Sequence, residues 1–158
     1  EKINTLVLDQ AIPPTNIIGT SKYFKNIKII IVDRDPRDIY VNMIRGRGLL
    51  GPELIKRDSV DKYIKWHTLM RKMSKNDKNN KDILKKVIRL NFEDLVLDYD
   101  SSVAKIFDFI GVNGVHSQKY KFFNPNASAA NIGLWKEYHN QEVMQEIANM
   151  IPEYCIDI

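Results

Sequence analysis

The chain contains little cysteine, little glycine and no long apolar run. Cys155 is the single cysteine among 158 residues, which excludes an internal disulfide and favours a reducing compartment. No apolar stretch approaches the roughly 20 residues of a membrane-spanning helix, and no signal peptide is recognisable. We therefore expect no membrane segment and a cytoplasmic location.

The excess of positive charge is also small. Lysine and arginine number 24 against 20 acidic residues, a net charge of +4. This balance suits an anionic ligand, but it is too small to indicate nucleic acid, and no basic stripe is interleaved with aromatic residues. His116 and His139 have no partners at metal-ligand spacing, so we predict no metal.

The most informative segment joins a strand directly to a helix. The β-branched residues 29–32 predict a strand buried on both faces, as in a parallel sheet. Asp35 is a good N-cap and Pro36 suits the first helical position. The free N–H groups of such a helix start favour anions, and Arg34 beside them can hold a phosphate with two parallel hydrogen bonds. The same pattern is also typical of a well-capped helix with a surface arginine.

Alternating strands and helices predict an α/β fold with a parallel sheet and flanking helices. Expected strands cover residues 5–9, 28–33 and 86–91, and expected helices cover 16–25, 36–45, 59–73, 101–111 and 140–150. Residues 74–81 and 112–131 are polar and predict loops. Because three strands leave exposed sheet edges, we expect either that the chain is incomplete or that another chain completes the sheet.

Three segments, taken together and in this order, resemble the sulfotransferase family. They are residues 29–42 (IIIVDRDPRDIYVN), 90–95 (LNFEDL) and 131–136 (NIGLWK). The family's first motif, a glycine- and Ser/Thr-containing loop for the 5′-phosphosulfate, does not occur, nor does a Walker A motif. The resemblance implies that residues 1–158 form a single partial domain with a P-loop-kinase-like fold, incomplete at the N-terminus. The abundance of lysine, isoleucine and asparagine suggests a bacterial source.

The resemblance also implies a binding site for 3′-phosphoadenosine-5′-phosphosulfate (PAPS). Arg34 matches the arginine that holds the 3′-phosphate, and Asn42 stands where the family usually has a serine. Phe92 falls where a tyrosine often lies near the adenine, although a core phenylalanine is the plainer interpretation. In the C-terminal segment the implied cofactor-binding residues are Ser128, Gly133 and Lys136, with Ser128 standing where the family has basic residues.

Sulfuryl transfer needs a base that takes the proton of the acceptor hydroxyl. The segment where cytosolic members have a histidine contains Asp9, which is the candidate base and alternatively a strand-end residue. His67 is interpreted as a core histidine, and Cys155 as a buried or incidental thiol. Four charged residues are interpreted as structural: Arg37 and Asp38 as surface charge and helix cap, Glu93 and Asp94 as caps of the next turn.

The function predicted from the resemblance is sulfuryl transfer from PAPS to a hydroxyl acceptor, with a carbohydrate as one candidate. Two alternatives stay open. The chain is either a non-catalytic fragment or partner-dependent half-domain, or a relative of nucleotide kinases that binds ATP.

Overall fold

The computed structural model describes residues 6–9, 12–46, 59–72, 75–114, 116, 121 and 123–157. These residues contain two strands, β1 (Ile29–Asp33) and β2 (Val87–Asn91). Their α-helices are α1 (Ile17–Ser21), α2 (Pro36–Ile44), α3 (Val60–Arg71), α4 (Lys75–Asn79), α5 (Lys81–Leu84), α6 (Phe92–Leu97), α7 (Tyr99–Ile110), α8 (Pro125–Ala129) and α9 (Gln141–Met150). Two 3-10 helices cover Leu134–Glu137 and Pro152–Tyr154. None of these helices is long and apolar enough to cross a membrane.

The two strands form a parallel sheet in which Ile29 lies opposite Val87 and Asp33 opposite Asn91. Both strands therefore end at the same edge, and α2 and α6 begin directly beyond it. A parallel pair flanked by helices confirms a mixed α/β protein, while the relation to P-loop kinases stays a prediction.

The prediction that β1 is buried on both faces was wrong. Ile29 and Ile31 are buried in a cluster with Ile17 of α1 and Ile83 of α5. Ile30 and Val32 point to the other face and are 41% and 51% exposed. A run of β-branched residues favours a strand without specifying whether both faces receive a helix layer.

The strand expected at residues 5–9 is not formed over residues 6–9, and residue 5 lies outside the described residues. Leu6 and Val7 are 71% and 88% exposed. A strand is stable only when its backbone pairs with a neighbour, and the sheet of the described residues consists of β1 and β2. Local propensity was therefore insufficient to predict this element.

The main core lies between α2, α3 and α9. Each helix contributes two buried residues to it, and Ile151 directly after α9 adds one more: Tyr40 and Val41, Tyr63 and Ile64, Met144 and Ile147. The rings of Tyr40 and Tyr63 meet edge to face with centroids 5.1 Å apart. The helices predicted at 36–45, 59–73 and 140–150 are confirmed with slightly shorter bounds, and Asn140 caps α9.

Two segments predicted as loops contain helices. Residues 75–79, inside the first segment, form α4, and the carboxylate of Asp77 accepts hydrogen bonds from the backbone N–H groups of Ile17 (3.2 Å) and Ile18 (2.9 Å). Likewise, Asn124 caps α8 inside the segment expected to be irregular. Short polar helices of this kind have little apolar periodicity, so their sequences look like loops.

Candidate functional site

The helix α2 begins with a buried ion pair. The Asp35 carboxylate caps the helix by accepting from the N–H of Arg37 (2.8 Å), and it pairs with the Arg37 guanidinium at 2.7 Å. The backbone N–H of Ile156 donates to the same carboxylate, and Arg37 donates to the carbonyl of Ile156 (2.9 Å each). Arg37 also lies 3.8 Å from the ring centroid of Trp135. The expectation that Arg37 supplies surface charge was therefore wrong.

Glu93, the second residue of α6, connects the start of α2 to the end of β2 through a hydrogen bond. Its Oε1 accepts from the backbone N–H of Asp35 at 2.9 Å, across 58 residues of sequence. Burial raises the pKa of Glu93, and Oε2 has no hydrogen-bond partner among the described residues. Glu93, which was predicted to cap the next turn, therefore joins α6 to the start of α2. Asp94 accepts a hydrogen bond from the side chain of nearby Asn91 (3.2 Å).

Arg34 lies at the junction of β1, α2 and the C-terminal segment. Its Nη2 donates to the carbonyl of Asn131, and its guanidinium lies 5.0 Å from the ring centroid of Phe92. With the amide of Asn42 turned so that Oδ1 faces Arg34, this oxygen accepts from Nη1 (2.7 Å) and Nη2 (3.3 Å). The Arg34 side chain is 18% exposed, so an anion in solvent can reach it.

Asp38 connects α2 to the C-terminal segment. Its Oδ2 accepts from the N–H of Gly133 (2.8 Å) and its Oδ1 from the N–H of Trp135 (3.1 Å). Its Oδ2 also lies 3.9 Å from Nη2 of Arg34. The pKa of Asp38 is raised, because the effect of burial outweighs the lowering by the two backbone donors and Arg34. The interpretation of Asp38 as a surface charge and local cap was wrong, because it is buried and its two hydrogen-bond donors are almost a hundred residues away.

The structure brings four of the six predicted cofactor-binding residues together. Arg34, Asn42 and Phe92 are in contact, and Gly133 is joined to them through Asp38. The remaining two are more peripheral, since Ser128 is half-buried in α8, which packs on α6, and Lys136 is exposed with its Nζ 5.8 Å from the Trp135 ring centroid.

Asp9, the predicted base, has no contact with this group among the described residues. It lies on an exposed bend, and no hydrogen bond or ion pair joins it to the Arg34 cluster among the described residues. Its catalytic role therefore stays a prediction.

A second ion-pair group supports the edge of the sheet behind Arg34. Asp33, at the end of β1, pairs with Arg71 of α3 (3.2 Å) and with Arg89 of β2 (2.7 Å). Arg71 also donates to the backbone carbonyl of Arg34 (3.3 Å). These contacts hold the backbone that presents Arg34.

The residues interpreted as non-catalytic are buried or half-buried. His67 lies among Tyr63, Trp66 and Tyr154, and burial together with the charge of Arg71 lowers its pKa to about 4. Burial also raises the pKa of Cys155 to about 11, which disfavours a reactive thiolate at neutral pH.

These features define a mixed α/β protein with an arginine-centred site at the carboxyl edge of a parallel sheet, where α/β folds commonly bind anionic ligands. Residues 19–117, well over half of the chain, match the model of the sulfotransferase family, and the protein belongs to that family. Neither a curated protein nor a solved structure matches the chain. The matched residues include Arg34, Asn42 and Phe92, whereas Asp9 and residues 131–136 lie outside them.

Proposed function

We propose that this protein binds PAPS through its 3′-phosphate and takes part in sulfuryl transfer to a hydroxyl acceptor. Membership of the sulfotransferase family supports sulfuryl transfer, and members of the family generally use PAPS as donor. The observation that carries the proposal is the meeting of Arg34, Asn42 and Phe92 at the carboxyl edge of the sheet.

The chemistry of these residues fits a nucleotide phosphate. The Arg34 guanidinium is charged, partly exposed and fixed in position by Asn131 and Asn42, so it presents a preorganised positive charge to a phosphate. Asn42 Nδ2 is the donor end of an amide whose oxygen faces Arg34. We assign the 3′-phosphate to Arg34 and Asn42 and the adenine to the neighbourhood of Phe92.

The assignments outside this cluster rest on the family resemblance. Ser128, Gly133 and Lys136 would complete the nucleotide site from the C-terminal side. PAPS, when bound, supplies the sulfuryl group, and Asp9 would take the proton of the acceptor hydroxyl. A carbohydrate is one candidate acceptor. The proposal concerns the 3′-phosphate half of the site, because no counterpart of the family's motif for the 5′-phosphosulfate is recognised in the sequence.

The test compares adenosine 3′,5′-bisphosphate with adenosine 5′-monophosphate by calorimetric titration. We expect the bisphosphate to bind more tightly, and we expect Arg34→Ala to reduce this preference by at least about tenfold, the effect of losing a charge-assisted hydrogen bond. Lys105→Ala, which removes an exposed cation of α7, serves as the matched control and should leave the preference unchanged.

Equal affinity for the two nucleotides, or a preference that survives in Arg34→Ala, contradicts the proposal. Tighter binding of ATP than of the bisphosphate supports the nucleotide-kinase alternative instead.

One observation favours the second candidate, a partner-dependent half-domain. The apolar face of β1 at Ile30 and Val32 is partly open to solvent. If this chain binds neither nucleotide, while a longer form or an added partner chain does, the half-domain interpretation is supported.

A further inference from the structure

One carboxylate, that of Asp38, contacts both sides of the candidate nucleotide site. It is fully buried, with an exposed fraction of 0%. One oxygen receives the N–H of Gly133 and the other the N–H of Trp135, and the first also lies near Arg34. A single side chain of α2 therefore holds the C-terminal segment and faces the arginine at the same time.

Two converging N–H donors explain why a carboxylate stands here. A carboxylate offers an acceptor oxygen to each donor, whereas an amide offers one oxygen and one NH2 group. In an Asp38→Asn variant the NH2 group would face the N–H of Gly133 or Trp135, and that donor would lose its partner. The cost is substantial because the group is buried.

The contacts of Arg34 depend on the same segment. Asn131 precedes Gly133 by two residues, and its carbonyl accepts from Nη2 of Arg34. Gly133 has φ +74°, a left-handed conformation that favours glycine and turns the chain between Asn131 and Trp135. If the N–H groups of Gly133 and Trp135 are released from Asp38, the Asn131 carbonyl loses its fixed position and the guanidinium loses one of its anchors.

We propose that Asp38 is a positioning residue that fixes residues 131–135 against Arg34 and thereby determines selectivity for the 3′-phosphate. The selectivity part of this inference rests on the proposed function, whereas the positioning part does not. Both parts follow from the contacts of Asp38, a residue that the sequence had suggested was purely structural.

The first measurement uses the protein without nucleotide. Trp66 and Trp135 are the two tryptophans of the chain, so a Trp66→Phe background leaves Trp135 as the sole fluorescent reporter of the segment. We expect Asp38→Asn in this background to increase quenching of Trp135 by acrylamide. Asp94→Asn, which alters an exposed carboxylate paired with Asn91, is the matched control and should leave quenching unchanged.

The second measurement is the ratio of the dissociation constants for adenosine 5′-monophosphate and adenosine 3′,5′-bisphosphate, taken well below the unfolding temperature. We expect Asp38→Asn to lower this ratio by about tenfold and Asp38→Glu, which keeps both acceptor oxygens, to restore part of it. A role in stability alone would lower the melting temperature without changing the ratio.

The outcomes separate the two proposals. Failure of Arg34→Ala to alter the ratio overturns the proposed function, and quenching of Trp135 then still decides the positioning role. A folded Asp38→Asn protein with unchanged quenching or an unchanged ratio overturns the inference. If Asp38→Asn does not fold, Gly133→Ala, which strains the turn from the other side, decides: an unchanged ratio overturns the inference and a lowered one supports it.

Discussion

At the start of α2, Asp35, Arg37 and Asp38 are charged and buried, whereas in residues 6–8 Leu6 and Val7 are apolar and largely exposed. The charged residues are held by specific partners, among them the backbone of Ile156 and of residues 133–135. The apolar segment has no strand beside it among the described residues. In these two segments, burial therefore follows the availability of partners more closely than it follows side-chain polarity.

The comparison bears on stability as well as on position. Charges removed from water stabilise a fold only when their partners replace the lost hydration, so each buried charge depends on its neighbours. Exposed apolar residues make no such demand. Substitutions in the two regions should therefore differ sharply in their effect on the free energy of unfolding.

Asp35→Ala should have the largest effect. The substitution removes the cap of α2 and leaves Arg37 buried without its carboxylate partner, so we expect a loss of about 3–5 kcal/mol in the free energy of unfolding. Urea denaturation measures this loss. Asp108→Ala, at an exposed position of α7, should change stability by less than about 0.5 kcal/mol. Equal effects of the two variants would show that the buried pair is not essential.

His67 is the opposite case of a buried polar side chain without partners. Both of its ring nitrogens are buried and have no hydrogen-bond partner among the described residues. Its pKa is lowered to about 4 by burial and by the charge of Arg71, with Asp35 acting in the opposite direction. Between this pKa and its ordinary value the unfolded chain binds a proton that the folded chain does not. Stability from this group is therefore complete above about pH 6.5 and falls by about 3 kcal/mol by about pH 4.

Denaturation of the wild type and of His67→Phe across this pH range isolates the contribution of the histidine. Asp38 and Glu93, whose pKa values are raised, titrate in both proteins and cancel in the difference. We expect the variant to lose less stability on acidification, and parallel pH profiles would contradict the prediction.

Tyr63→Phe should have a moderate effect. The buried Tyr63 hydroxyl donates to the carbonyl of Pro36 at 2.5 Å, and its loss should cost about 1 kcal/mol in the free energy of unfolding. Tyr23→Phe, at an exposed position, should cost almost nothing. Thermal or urea unfolding of the two variants measures how much the hydrogen bond to Pro36, at the start of α2, contributes to the free energy of unfolding.

Val7→Ser should have the smallest effect, within about 0.5 kcal/mol, because the side chain is already in water. The buried counterpart Ile31→Val should cost about 1 kcal/mol through the lost methylene group. A destabilisation by Val7→Ser larger than that of Ile31→Val would show that residues 6–8 are packed in solution and would remove the contrast between the two regions.

Local signals predicted the parts of the structure that depend on neighbouring residues. The strand leading into Arg34, the Asp35 cap and Pro36 at the first position of α2 were all recognisable from adjacent residue types. The helix expected to begin at residue 101 begins instead at Tyr99, directly after α6.

Long-range partners were not predictable in the same way. Nothing near Asp38 in the sequence indicates Gly133 and Trp135 as its donors, and nothing near Glu93 indicates the N–H of Asp35. A carboxylate early in a helix looks like a local cap in either case. Its partner is determined by which distant backbone groups the fold brings within hydrogen-bond distance.

The sequence by itself determined that this is an α/β protein, that an arginine follows a strand at the start of a capped helix, and that the chain resembles sulfotransferases. These properties reside in residue types and short spacings. The tertiary structure alone decided that Arg34, Asn42 and Phe92 meet, that Asp38 faces inward, and that Ile30, Val32 and residues 6–8 remain exposed. The physical reason is that contacts and burial depend on the packing of elements far apart in the chain, which local propensity does not encode.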